Sequence, residues 1–222
     1  MREHFARMTA WWAFRSARSS ARRYRDFCCA ERNSELEILA AARLTPSAER
    51  CALYLRHAID EGRHAELFFQ RANTLHEATA PAFPDVDVDD LFARLGERDF
   101  LAFVHHGERR GAAQFRGYVR HFRAKAGAAA DPAKLFAGIL VDEDRHESTS
   151  WRLLVELCDG NEGLARRRLR RIGVVEAARQ WHRNGRSIAG AVYVLAMLLL
   201  FVLSAPLAVW LKRTRPTPTG WA

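Results

Sequence analysis

The chain has 222 residues, 49% of them hydrophobic and 27% charged, with a formal net charge of +9. That apolar content excludes a disordered chain, the length holds one good core beside a membrane segment, and the scarcity of alternating β-branched runs argues against a sheet protein. The charge comes almost entirely from arginine and suits an anionic lipid surface or nucleic acid as partner.

From the N-terminus, residues 1–21 set Trp11, Trp12 and Phe14 among Arg2, Arg7, Arg15 and Arg18, and read as a basic, aromatic helix. Such a helix suits a membrane interface or packing on the domain that follows, and spacing leaves both open. It holds no continuous apolar stretch and no small-residue cleavage site, so a secretory signal is not expected. Residues 22–160 read as one domain of four long helices, approximately 22–44, 47–78, 88–126 with room for a break at Gly96, and 131–158. Thr45-Pro46-Ser47 marks a short turn, 80–87 carries two prolines, and 126–132 combines Gly, Asp and Pro. Two short turns and one longer connection are the pattern of an all-α, ferritin-like antiparallel four-helix bundle, built as two hairpins joined by a crossover. Cys28, Cys29, Cys51 and Cys158 form no C-x-x-C and point to reduced, packed thiols in a cytosolic setting.

Residues 161–186 hold Arg166, Arg167, Arg168, Arg170, Arg171, Arg179, Arg183 and Arg186. They read as a basic juxtamembrane helix on anionic membrane lipid, with Leu164, Leu169, Ile172 and Val175 as its apolar side. Residues 187–211 carry no charge. At ~1.5 Å per residue they exceed the ~30 Å hydrocarbon thickness, which predicts one C-terminal transmembrane helix, with Tyr193 and Trp210 at interfacial depths. Only Lys212, Arg213 and Arg215 follow, in a short tail at 212–222. The positive-inside rule then predicts a single-pass membrane protein with its N-terminal domain in the cytoplasm. Nucleic acid is not expected, because the basic residues adjoin the span without a stacking platform or motif.

The sharpest signal is a motif written twice: Asp60-Glu61-Gly62-Arg63-His64 on the second helix and Asp142-Glu143-Asp144-Arg145-His146 on the fourth. Glu and His three residues apart share a helix face, so each pair can offer a carboxylate oxygen and an imidazole nitrogen to one metal ion. Apolar neighbours surround both motifs, and polar groups on a core face need partners. A bundle metal site also needs one carboxylate from each remaining helix. Glu108 lies at the right depth on the third; on the first, Glu31 is the candidate and Glu35, one turn on, the reserve, while Glu37 points elsewhere. Four carboxylates and two imidazoles balance two divalent ions and favour two iron ions, with manganese as the alternative, over zinc. His105 and His106 read as surface or supporting histidines, and His57 as an ordinary packed or exposed one; none receives a role. There is no G-x-S-x-G elbow, Walker loop or dinucleotide fingerprint.

These residues resemble the oxygen-activating di-iron carboxylate proteins of the ferritin-like superfamily. The two D-E-x-R-H copies are similar to the paired motif of soluble acyl-carrier-protein desaturases and bacterial multicomponent monooxygenases, and rubrerythrins share the E-x-x-H pairs. The resemblance covers roughly residues 31–147. It implies Glu31 and Glu108 as single carboxylate ligands, and Glu61 with His64 and Glu143 with His146 as the paired ones. It further implies that Asp60 and Asp142 hydrogen-bond the ligating imidazoles, with Arg63 and Arg145 steadying those aspartates. The desaturases are longer and soluble, so the C-terminal span is a departure.

The expected function is a membrane-anchored di-iron oxidoreductase that activates dioxygen to hydroxylate or desaturate a hydrophobic, lipid-like or acyl substrate, with electrons from a separate donor protein. The alternatives are a rubrerythrin-like peroxidase or ferroxidase and, from another class, a metal-free membrane-anchored helical adaptor.

Overall fold

The structure, a computed structural model, describes the backbone of residues 10–75, 88–126 and 131–214, without the side chains at 126, 179–192, 194, 201 and 205–214. The described chain is all-α, with no strand. A helical turn at 10–13 precedes α1 Ala17–Leu44, α2 Ala48–Leu75, α3 Leu91–Leu95, α4 Glu97–Ala126, α5 Asp131–Glu156 and α6 Glu162–Thr214. Two compact units divide the chain, Met1–Gly173 and Val174–Ala222.

In the first unit, α1 and α2 pack as one hairpin and α4 and α5 as another. Ser16 sets the start of α1: its side chain accepts the Ser19 N–H while the Ser19 hydroxyl accepts the Ser16 N–H, a reciprocal cap. That cap cuts the expected helix at 1–21. Ala10 and Phe14 pack on the bundle, with Phe14 against Tyr24, Tyr118 and Phe122 at ring-centroid distances of 5.5, 5.2 and 4.9 Å. Trp11 and Trp12 stay 58% and 62% exposed. Residues 1–9 lie outside the described ones, as does the expected crossover at 79–87.

At the next turn, Pro46 interrupts the backbone donors and the Ser47 hydroxyl caps the Arg50 N–H at 3.3 Å. Glu97, opening α4, accepts from the Thr45 hydroxyl at 2.7 Å, Arg50 Nε at 2.8 Å and the Tyr54 hydroxyl at 3.0 Å, which ties this end of the first hairpin to the second. The break expected near Gly96 is present: Gly96 takes φ +73°, closed to most side chains, and separates α3 from α4. Glu37 is buried and accepts the backbone N–H groups of Asp89 and Leu91, pinning α3 to α1.

Two cores fill the bundle. One, towards the α1–α2 turn, gathers Ile38, Tyr54, Phe100, Leu101, Leu153 and Leu154. The other is aromatic, with Tyr24, Phe27, Phe68, Phe115, Tyr118 and Phe136 in mutual ring contact. Glu31, Glu61, Glu108 and Glu143 occupy the layer between them, within 8% exposure. All four cysteines are free; Cys28 and Cys158 are buried, but Cys29 is exposed and so is not a packed thiol.

The basic stretch departs from expectation. It belongs to one helix with the segment that follows, and its first turns are part of the bundle. Leu164, Leu169 and Ile172, expected to face lipid, pack into the aliphatic core. Arg168 Nη1 lies 3.0 Å from Asp99 Oδ1, and Arg171 pairs with the other oxygen of that buried carboxylate. His106 donates to the Leu169 carbonyl at 2.6 Å; a Cβ on Gly173 would come within 2.8 Å of that ring nitrogen, so glycine permits the approach. A buried carboxylate needs a paired cation, and Asp99 takes Arg168 and Arg171 as its partners. Arg166, Arg167 and Arg170 remain exposed.

In the second unit, α6 continues to Thr214. Its large apolar side chains among the described residues are exposed, from 41% at Val175 to 70% at Val174. Among the described residues, no helix is long and apolar enough to cross a membrane. The expected span at 187–211 falls largely on side chains outside them.

Candidate metal centre

Helical periodicity aims the donors inward. On α2, positions 57, 61 and 64 fall on one face, and on α5 positions 143 and 146 do. Glu31, Glu61, His64 and Glu143 bring one donor atom each within 4.8 Å of the others; so do His57, Glu61, Glu108 and His146. All six residues expected from the sequence therefore converge, with Glu61 common to both clusters. The expected pairing of Glu143 with His146 on one metal is not what the clusters contain, because Glu143 groups with His64 and His146 with Glu61. Glu35, the reserve candidate, belongs to neither; Arg32 holds it at 2.5 Å.

The imidazoles are oriented from behind, and the support is crossed. His64 Nε2 lies 3.2 Å from Asp142 of the other motif, and His146 Nε2 lies 3.3 Å from Asp60. Arg63 pairs with Asp142, and Arg145 Nη2 reaches Asp60 at 2.6 Å and Asp142 at 2.7 Å. Each motif thus braces the opposite histidine. The other ring nitrogens turn to the cluster: His64 Nδ1 and His146 Nδ1 are buried without a hydrogen-bond partner. His64 Nδ1 is 3.7 Å from Glu143 Oε1, and His146 Nδ1 is 3.2 Å from Glu61 Oε1 and 3.6 Å from Glu108 Oε2.

These orphaned nitrogens test the fit of a metal pair. A buried acceptor costs roughly 1–3 kcal/mol when unsatisfied, and both sit where carboxylate oxygens crowd. Four carboxylates would cancel two divalent ions, and the oxygen-rich, thiolate-free set suits iron or manganese. The residues fit the group. Glycine makes room as well: a Cβ on Gly111 would lie 2.8 Å from Glu143 Oε2, and one on Gly62 would lie 2.9 Å from the Glu35 carboxyl carbon.

The buried donors shift one another's titration in opposite directions. Burial and the neighbouring carboxylates push Glu31 and Glu143 well above the usual range. Burial acts in the same direction on Glu61 and Glu108, yet the neighbouring His146 and His57 rings hold Glu61 well below it, and the His57 charge lowers Glu108. Burial opposes the charged form of His57 and His146, but Glu108 and Glu61 overcome it and raise them to about 10 and about 9. Burial lowers His64.

No family model, curated protein or solved structure matches this chain. The site stands on its own geometry.

His57 is the residue that sequence reasoning left out. Its Nε2 is 3.0 Å from Glu61 Oε1 and 3.3 Å from Glu108 Oε1, and its ring stacks on His146 with centroids 3.7 Å apart. The available signal was its position four residues before Glu61, on the ligand face. His105, by contrast, is spent on the Glu147 carbonyl and the Ser150 hydroxyl, at 3.1 and 3.2 Å. Beside His57 lies a cavity with about 20 Å³ of space for water-sized molecules, lined by Ile38, Phe100, Val104, Leu153 and Ser150 among others.

Proposed function

We propose that the chain is a membrane-anchored, non-haem di-iron oxidoreductase that activates dioxygen to hydroxylate or desaturate a hydrophobic, lipid-like or acyl substrate. The observation that carries this reading is the convergence of four buried carboxylates with His64 and His146, whose inward nitrogens lie among those carboxylates without a hydrogen-bond partner. The likeness of the twin motifs to those of the di-iron carboxylate proteins points the same way. Iron held there would supply open coordination positions and the electrons needed to activate dioxygen.

The protein's own groups have distinct tasks. Glu31, Glu61, His64, Glu108, Glu143 and His146 hold the ions, and Asp60 and Asp142 fix the ring orientations. Arg63 and Arg145 neutralise those aspartates. The aromatic core on one side and the aliphatic core on the other keep bulk water from the oxidising centre. The exposed Leu195, Leu198, Leu199, Leu200 and Leu203 support the anchor: three consecutive leucines at 60–62% exposure cover most of the helix circumference, and lipid is the natural cover. An anchor raises the local concentration of a lipid-like substrate. Electrons would come from a separate donor protein.

The test is anaerobic loading with ferrous iron, then exposure to oxygen with a membrane lipid extract. About two irons per chain and a product heavier by one oxygen, or lighter by two hydrogens, are expected. No stoichiometric metal would leave a helical adaptor. The small size of the space beside His57 favours a second reading, a peroxidase or ferroxidase that admits only small oxidants. Rapid consumption of hydrogen peroxide with no organic product would select it.

A further inference from the structure

The twin motifs agree at Asp, Glu, Arg and His but differ one turn earlier. Four residues before Glu61 stands His57; four residues before Glu143 stands Ile139, buried and apolar. Side chains at i and i+4 share a helix face, so α2 sends three donors inward where α5 sends two. We infer that His57 is itself a metal ligand, a third imidazole that makes one metal position nitrogen-rich and the two positions chemically unequal. This rests on the dimetal reading above.

Three observations carry it. The cluster of His57, Glu61, Glu108 and His146 is a complete four-donor set, with two nitrogens and two carboxylates, while Glu31, Glu61, His64 and Glu143 offer one nitrogen and three carboxylates. His146 Nδ1, buried without a hydrogen-bond partner, points into the same cluster as His57 Nε2. The stacking of the two rings at 3.7 Å places both imidazoles against the same carboxylates, Glu61 and Glu108, as two ligands of one ion require. Imidazole favours ferrous iron and later metals, whereas carboxylate favours harder ions such as manganese. The His57 position should therefore fill first with ferrous iron, and the Glu31 position should be the more permissive to manganese. His57 also lines the small cavity, so a molecule there would meet the nitrogen-rich position first.

The experiment loads the full chain in detergent anaerobically with ⁵⁷Fe²⁺ and reads stoichiometry, stepwise affinity and Mössbauer spectra for the protein and for His57→Leu. The unaltered protein is expected to give two unequal quadrupole doublets that fill in sequence. In His57→Leu one doublet should change, with affinity for that ion down about 100-fold or more, since loss of a ligand costs at least as much as loss of a partner behind one, while the other persists. As a check independent of the variant's folding, pulsed EPR of the one-electron-reduced protein with ¹⁵N-histidine labelling should count three coordinated histidine nitrogens. Two irons with only two such nitrogens would overturn the assignment and leave the dimetal reading standing. So would a folded His57→Leu with unchanged spectra and affinities. Failure of the unaltered protein to bind iron would instead overturn the dimetal reading, and His57 with it.

Discussion

The bundle and the C-terminal helix reverse the usual placement of polar and apolar groups in opposite senses. In the bundle, carboxylates and imidazoles that water would solvate are buried in the layer between two cores, Glu61 at 2% exposure and His64 at 0%. On α6, leucines that a core would cover are exposed around the helix, Leu199 at 60% and Leu203 at 69%. Either inversion is costly for a chain alone in water. Each region therefore lacks, within the described chain, the groups that would offset its inversion, and the proposed function supplies them as dications inside one and hydrocarbon around the other.

The comparison can be broken first at the residue both clusters share. Glu61→Ala should abolish binding of both ions, lowering metal from about two per chain to below half by elemental analysis, because no other carboxylate reaches both clusters. Retention of both ions would contradict the shared role. On the outer side, Leu199→Arg places a charge in the middle of the exposed apolar run, at about 2.5–3.5 kcal/mol in a bilayer centre. Detergent-free fractionation should then show the protein leaving the membrane pellet, while circular dichroism of the bundle is unchanged.

A pH series separates protons from metals as the interior's cations. His57 and His146, raised to about 10 and about 9 in the folded chain, contribute stability that is fully present below the ordinary histidine value near 6.5 and lost as pH rises through 9 to 10. Glu31 and Glu143, raised by burial, act in the same direction. With chelator, the melting temperature should therefore fall between pH 7 and 10. With metal it should hold or rise, since ligand deprotonation strengthens binding. The smallest effect is expected from Gly111→Ala. A helix interior gains about 0.8–1 kcal/mol from alanine, but the new methyl would displace the Glu143 carboxylate, so metal affinity should drop severalfold in a protein no less stable to heat.

How much was legible can be argued residue by residue. Glu61 with His64 and Glu143 with His146 were readable as sharing a face because a helix turns 100° per residue, and Glu31, the first candidate on its helix, joins a donor cluster where Glu35 does not. Gly96 was readable as a break because glycine tolerates positive φ. His57 was not: its place in a donor cluster depends on Glu108 of α4, whose Oε1 lies 3.3 Å from its Nε2, and only packing brings that carboxylate to it. The crossed bracing of His64 by Asp142 and of His146 by Asp60 was equally hidden, since each motif in isolation pairs with itself. The arginines at 168 and 171 misled for a related reason. Their charge suggested lipid, but Asp99 lies 69 and 72 residues earlier in the chain and only packing brings it to them.

The sequence by itself determined the long helices of the bundle, the turn at 45–47, the break at Gly96 and the faces on which acids and histidines fall, because those follow from local periodicity and turn chemistry. Only the tertiary structure decided which faces meet: that Glu61 serves two clusters, that His57 joins one of them, and that the first turns of α6 belong to the bundle. Such partnerships depend on distances between groups far apart along the chain, which local backbone preferences do not encode.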